Sequence, residues 1–244
     1  SKKHPDLWLD DEDEGGKNLN EEEFLARQLK STNYELRSTN EDELKKGGIR
    51  RGRDIRFSYN KITNLNRGKA LVDSINNLMT CQLNVIVFNF VDMLSHARTE
   101  MEMIRELAPD ESAYRSITKS WFSHSPLLDV LKKISEKKAK LIITTDHGSI
   151  RVKKPFKIVG DRNTNTNLRY KQGKNLGYNP KNLLVAKNPE RFYLPQSHVS
   201  TSYVFATEDQ FFVHPNNYNY FANYYKDTFQ HGGISMEEMI EPFV

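Results

Sequence analysis

Five side chains able to donate to a metal ion fall in three short stretches of the 244-residue sequence. Asp92-Met93-Leu94-Ser95-His96 offers a carboxylate and an imidazole four positions apart. Thr145-Asp146-His147-Gly148 offers a second such pair, adjacent in sequence, and His231 opens the run His231-Gly232-Gly233-Ile234-Ser235. On a helix, positions i and i+4 share a face, so Asp92 and His96 can reach one ion. Asp146 and His147 follow an apolar run that reads as a strand end, where a turning backbone can aim both into one crevice. Gly148 permits a sharp turn, and Gly232-Gly233 lets His231 approach from a different direction. Each stretch also has a plain reading, with Asp92 capping a helix over a packed His96 and Asp146-His147 at the surface. Three such stretches in one chain outweigh it. The donors are all oxygen or nitrogen, suited to Zn²⁺ or Mn²⁺. One ion takes three or four protein ligands, so five are one short of two lean sites. His4, His124, His198 and His214 lack comparable context and read as structural or exposed.

The elements that would carry these residues alternate. Leu65 to Met79 has apolar residues at helical spacing. Leu83 to Val91 is almost continuously apolar and reads as a central parallel strand buried on both faces. Asp92 then begins a helix with Leu94, Met101, Ile104 and Leu107 on its apolar face, ended by Pro109. Glu111–Trp121 and Leu127–Lys138 read as helices, with Pro126 at the first position of the second. Leu141 to Thr145 is the next buried strand. Strand–helix–strand order with such crossovers predicts a parallel α/β sheet. Further strands are expected at Ile55–Tyr59, Leu183–Ala186, Ser202–Ala206 and Gln210–Val213, with a long loop over Asn163–Asn179. Asn216–Tyr225, dense in Asn and Tyr, is expected beside the site, and Ser235 caps a final helix. Towards the N-terminus, Ser1–Gly16 reads as a loop and Asn20 as the cap of a helix from Glu21. Lys30–Asp54 reads as an irregular excursion with a short helix near Glu41–Lys46.

Composition bounds the rest. Apolar residues make up 37% and charged residues 28%, and no apolar run reaches the roughly 18 to 20 residues that span a bilayer. The expectation is a cytoplasmic chain without membrane insertion. Cys81 is the single cysteine, which excludes an intrachain disulfide and a cysteine-based zinc site. The start, Ser1-Lys2-Lys3-His4-Pro5, lacks an initiator Met and a signal-peptide core, and reads as the middle of a protein. The net charge of +4 hides an asymmetry: an acidic stretch over Asp10–Glu14 and Glu21–Glu23, and a basic one over 150–192. The latter holds eleven lysines and arginines against Asp161 and Glu190, about +9, and can draw an anionic substrate.

The order Asp92-x-x-x-His96, Thr145-Asp146-His147-Gly148, His231-Gly232-Gly233-x-Ser235 resembles the metal signature of the alkaline phosphatase superfamily. With Asp-Asp-Glu-Asp-Glu-Gly-Gly at 10–16 and Gln-His-Gly-Gly-Ile-Ser at 230–235, the chain is similar to the PglZ domain of PorX-type response regulators, along most of its length. The resemblance implies a three-layer α/β/α sandwich with a mainly parallel sheet, residues 1–244 forming a partial domain whose N-terminal portion is missing. It implies two zinc ions, one on Asp92, His96 and His231 and the other on Asp146 and His147. The remaining ligands, an early Asp and a nucleophilic Thr, would lie upstream, as would a receiver domain addressed by a sensor histidine kinase. On this footing the chain alone is expected to be inactive. The implied chemistry is phosphoryl transfer through a phospho-threonine on phosphodiesters, including cyclic or linear oligonucleotides, in a regulator of type IX secretion. Arg162, Arg169 and Lys171 are the expected phosphate contacts, and a homodimer is a further expected partner. A non-catalytic regulatory module, with a structural or ligand-sensing zinc site, is the rival reading. Phosphatase, sulfatase or phosphomutase activity stands within the same superfamily.

Overall fold

The computed structural model describes residues 20–29, 50–51, 55–196 and 198–244. The expected loop over Ser1–Gly16 and the helix near Glu41–Lys46 lie outside them. The chain divides into two compact units, one of residues 6–93 and 108–141 and the other of 1–5, 94–107 and 142–244.

In the first of these, helix α1 (Glu21–Leu29) precedes a sheet of β1 (Arg50–Arg51), β2 (Arg56–Ile62) and β3 (Leu83–Phe88), in that order. β2 and β3 are parallel, in register from Phe57 with Leu83 to Ile62 with Phe88. Helix α2 (Leu65–Leu78) makes the crossover, its first turn capped by Asn64, whose Oδ1 accepts from Arg67 N at 3.0 Å. Its apolar stripe, Leu71, Ile75 and Leu78, packs with Ile62 and with Val130 and Ile134 of a later helix. That partner is α6 (Pro126–Ser135), with Pro126 at its first position. The two helices approach closely at Gly68, where a Cβ would stand 2.7 Å from Pro126 Cγ. Between them in sequence lie α3 (Phe90–Glu100), α4 (Glu102–Leu107) and α5 (Glu111–His124). α5 fixes the first turn of α3: Trp121 stacks on Phe90 at 4.3 Å, and Tyr114 Oη donates to Val91 O at 2.8 Å.

The other unit is built of short sheets. β9 (Thr201–Ala206) lies between β6 (Tyr170–Lys174) and β8 (Leu183–Ala186), antiparallel to both. β5 (Lys154–Val159) pairs parallel with β10 (Gln210–Val213) and antiparallel with β7 (Gly177–Tyr178). β4 (Ile150–Arg151) pairs with β11 (Phe229–Gln230). Side chains alternate along β10, so Phe211 joins Ile150, Val152 and Val213 in one core while Phe212 joins Ile158, Val204 and Ala206 in another. Helices α7 (Tyr218–Tyr225) and α8 (Met236–Met239) complete it.

The fold is therefore mixed α/β with small sheets, and several expectations need correction. Among the described residues antiparallel pairings outnumber parallel ones. β3 is half-buried along its length and has β2 as its hydrogen-bonded neighbour on one side, so it is not a central strand among these residues. Leu141–Thr145 is not a buried strand: Leu141, Ile142 and Ile143 are 46%, 59% and 49% exposed. The backbone of Ile143 instead exchanges hydrogen bonds with Val244, at 2.7 and 3.0 Å. An apolar run shows that a segment can be buried, but nothing in it says which strands flank it. The helix after Asp92 begins two residues earlier, at Phe90, and breaks at Met101 before α4. The expected loop over Asn163–Asn179 contains β6 and β7.

Candidate metal centre

His96 lies on α3, one turn beyond Asp92 and on the same face of the helix. The C-terminal part of α3 is tied to the segment before His231. Buried Arg98 donates from Nη1 to Asp227 O at 2.8 Å and lies over the Phe229 ring at 5.0 Å. Gln230 Nε2 donates to Thr99 Oγ1 at 3.2 Å. These contacts bring His96 to His231, ring centroids 5.7 Å apart and planes near perpendicular.

His147 meets the same His231 ring. Its ring stacks on His231 at 4.0 Å, 14° from parallel, and a nitrogen of each lies within 4.8 Å of the other. That is the scale on which imidazoles serve one ion through bonds of about 2.0–2.1 Å, or two ions about 3.5–4 Å apart. His147 Nδ1 lies 3.1 Å from Gly148 O, and a carbonyl there demands the proton on Nδ1 and leaves Nε2 as a donor atom. Thr145 Oγ1 donates to His147 O at 2.8 Å. Asp146 is 77% exposed, its Oδ1 3.9 Å from His147 Nε2. Three imidazoles with a carboxylate at hand are a nitrogen and oxygen donor set that fits zinc.

Glycines set both histidine segments. A Cβ on Gly148 would stand 1.9 Å from Glu237 O, so the chain after His147 lies directly on the start of α8. Gly232 has φ +104°, a conformation that disfavours side chains. A Cβ on Gly233 would meet the Arg169 guanidinium at 2.7 Å.

Arg169, expected at a phosphate, is wholly buried. Its Nε and Nη2 donate to Glu238 Oε1 and Oε2 at 2.9 and 2.6 Å, and Nη1 donates to Gln210 O. A buried ion pair occupies the guanidinium. Burial alone would push the Glu238 carboxyl up, but Arg169 and the N–H groups of Gly233 and Ser235 outweigh it and hold it below the ordinary carboxylate range. The sequence places Glu238 at the start of the final helix, where its capping box with Ser235 forms, but gives no sign of its pairing with Arg169. Lys171 is part-buried, Nζ donating to Asn165 O at 2.8 Å, and burial lowers it to about 8. Arg162 is exposed in the turn after β5. The basic stretch is partly neutralised by later carboxylates, Arg151 pairing with Asp227 at 3.2 Å and Lys154 with Asp209 at 3.0 Å. His124, His198 and His214 are exposed. No helix among the described residues is long and apolar enough to cross a membrane.

The chain belongs to the PglZ family: the model of the BREX system PglZ alkaline phosphatase-like domain matches residues 1–244. No curated protein matches it. Alkaline phosphatase-like enzymes are metal-dependent hydrolases of phosphate esters, so the chain is a phosphoesterase-type domain.

Proposed function

We propose that this chain carries the metal centre of a zinc-dependent phosphodiesterase whose substrates include cyclic or linear oligonucleotides. The observation that supports this most is the convergence of His96, His147 and His231 from three separate stretches of sequence. Asp92 joins them through its helical spacing to His96, and Asp146 through its place beside His147. In this reading Asp92, His96 and His231 hold one ion, and Asp146 and His147 contribute to a second. Bound zinc supplies a Lewis acid for a phosphoryl oxygen and lowers the pKa of coordinated water. The chain's own part is to aim the imidazoles: the Gly148 carbonyl holds Nδ1–H of His147 and turns Nε2 outward. Arg162 and Lys171 meet the phosphate, while Arg169 stays with Glu238. The threonine nucleophile that the resemblance implies is not assigned to any residue here.

The three-layer sandwich belongs to the same reading, since β2–α2–β3 is a parallel βαβ unit of the kind such sheets repeat. So does the setting: a cytoplasmic response regulator addressed by a sensor histidine kinase, dimeric and acting on type IX secretion. The family's description names a BREX system instead. A non-catalytic module with a structural or ligand-sensing zinc is the second reading, favoured by the enclosure of Arg169 away from any substrate.

Elemental analysis of metal per chain, followed by turnover of a chromogenic phosphodiester by protein that includes the upstream Thr the resemblance implies, tests the proposal. Bound zinc with turnover supports the enzyme, and zinc without turnover supports the module. No metal at all defeats both.

A further inference from the structure

We infer that Arg169 and Glu238 are positioning residues for the metal centre, a buried clamp that holds the His147 and His231 segments in register. The inference rests on the metal-centre reading above. The pair is almost wholly enclosed, with side-chain exposures of 0% and 2%.

Glu238 reaches both segments. Its Oε1 accepts from Gly233 N at 2.8 Å, and its Oε2 accepts from Ser235 N at 3.0 Å and Ser235 Oγ at 2.8 Å. These groups belong to the loop that His231 opens. The backbone oxygen of the same residue accepts from Gly148 N at 3.1 Å, directly after His147. Arg169 ties the assembly to the sheets through Ala206 O at 3.4 Å and Gln210 O, at the end of β9 and the start of β10.

Stability is a poor reason for such a pair, because two apolar residues of similar volume often serve a fold as well or better. Apolar residues cannot supply the directed hydrogen bonds to Gly233 and Ser235. Those bonds set the course of the backbone out of His231, as the partners behind metal ligands set ligand orientation elsewhere.

The test is a cobalt(II) titration of the full chain followed by visible absorption, on wild type, Glu238→Gln and the double variant Arg169→Met/Glu238→Met. Hydrogen exchange at the Gly233 and Ser235 amides of the metal-free proteins and urea unfolding accompany it. Glu238→Gln is expected to weaken cobalt binding about 10- to 100-fold and to speed exchange at both amides. The double variant is expected to stay folded, at a urea midpoint below wild type because the Gly233 and Ser235 amides lose their acceptor, while keeping the weakened cobalt binding. Wild-type cobalt affinity in either variant overturns the inference and leaves the metal reading standing. Failure of the wild type itself to bind cobalt defeats the metal reading, and the inference with it.

Discussion

His147 and His231 lie face to face, 4.0 Å between ring centroids and 14° from parallel, although neither belongs to a helix or strand. Their alignment is therefore set by what their neighbours touch: Gly148 on Glu237, and Gly233 on Arg169.

Removing either ring should show in metal content. Wild type is expected to carry zinc, and His147→Ala and His231→Ala to lose at least one ion each. Elemental analysis beside circular dichroism separates ligand loss from unfolding, and unchanged metal in both variants would retire the site.

Gly148→Ala places a methyl group on the backbone oxygen of Glu237. Since backbone cannot rotate away as a side chain can, the cost is expected at about 1–3 kcal/mol. Chemical denaturation measures it, and metal binding should weaken in parallel as His147 is displaced.

The Arg169–Glu238 pair predicts an acid limb. Glu238 titrates lower in the folded state, so its stabilisation is present in full above the ordinary value of 4.5 and is lost as pH falls through the lowered folded value. Urea midpoints of wild type and Glu238→Gln between pH 3 and 6 should converge on acidification.

Lys171 predicts the opposite limb. Its folded value of about 8 lies below the ordinary 10.5, so between these the unfolded chain binds more protons. Stability from this group rises with pH across that window, by at most about 1.4 kcal/mol per unit, and is flat below it. Lys171→Met should remove the rise, as measured by urea unfolding from pH 7.5 to 10.

In the α2–α6 core, Ile75→Ala deletes a side chain that is 1% exposed. A loss of about 2–5 kcal/mol is expected in the same unfolding assay.

Much of this was legible from residue pattern. Helical spacing over Leu65–Met79, the proline opening α6 and the short apolar strands β8 to β10 are local signals, and the structure places elements there. The histidines were picked out by type and context, and the rings of His96, His147 and His231 lie near one another. What holds them there was not legible. Arg169 read as a phosphate contact because nothing nearby in sequence announces Glu238, which lies far along the chain and takes up its guanidinium. The same blindness made Leu141–Ile143 look buried and the basic stretch look unopposed, since strand neighbours and counter-charges come from distant segments.

Ile143 and Thr144 are hydrogen-bonded to Val244 and Pro242, only a few residues ahead of Asp146 and His147. An affinity tag, linker or fluorescent reporter attached at Val244 would therefore sit beside the segment that presents those two side chains. A label there reports on the candidate centre and also perturbs it.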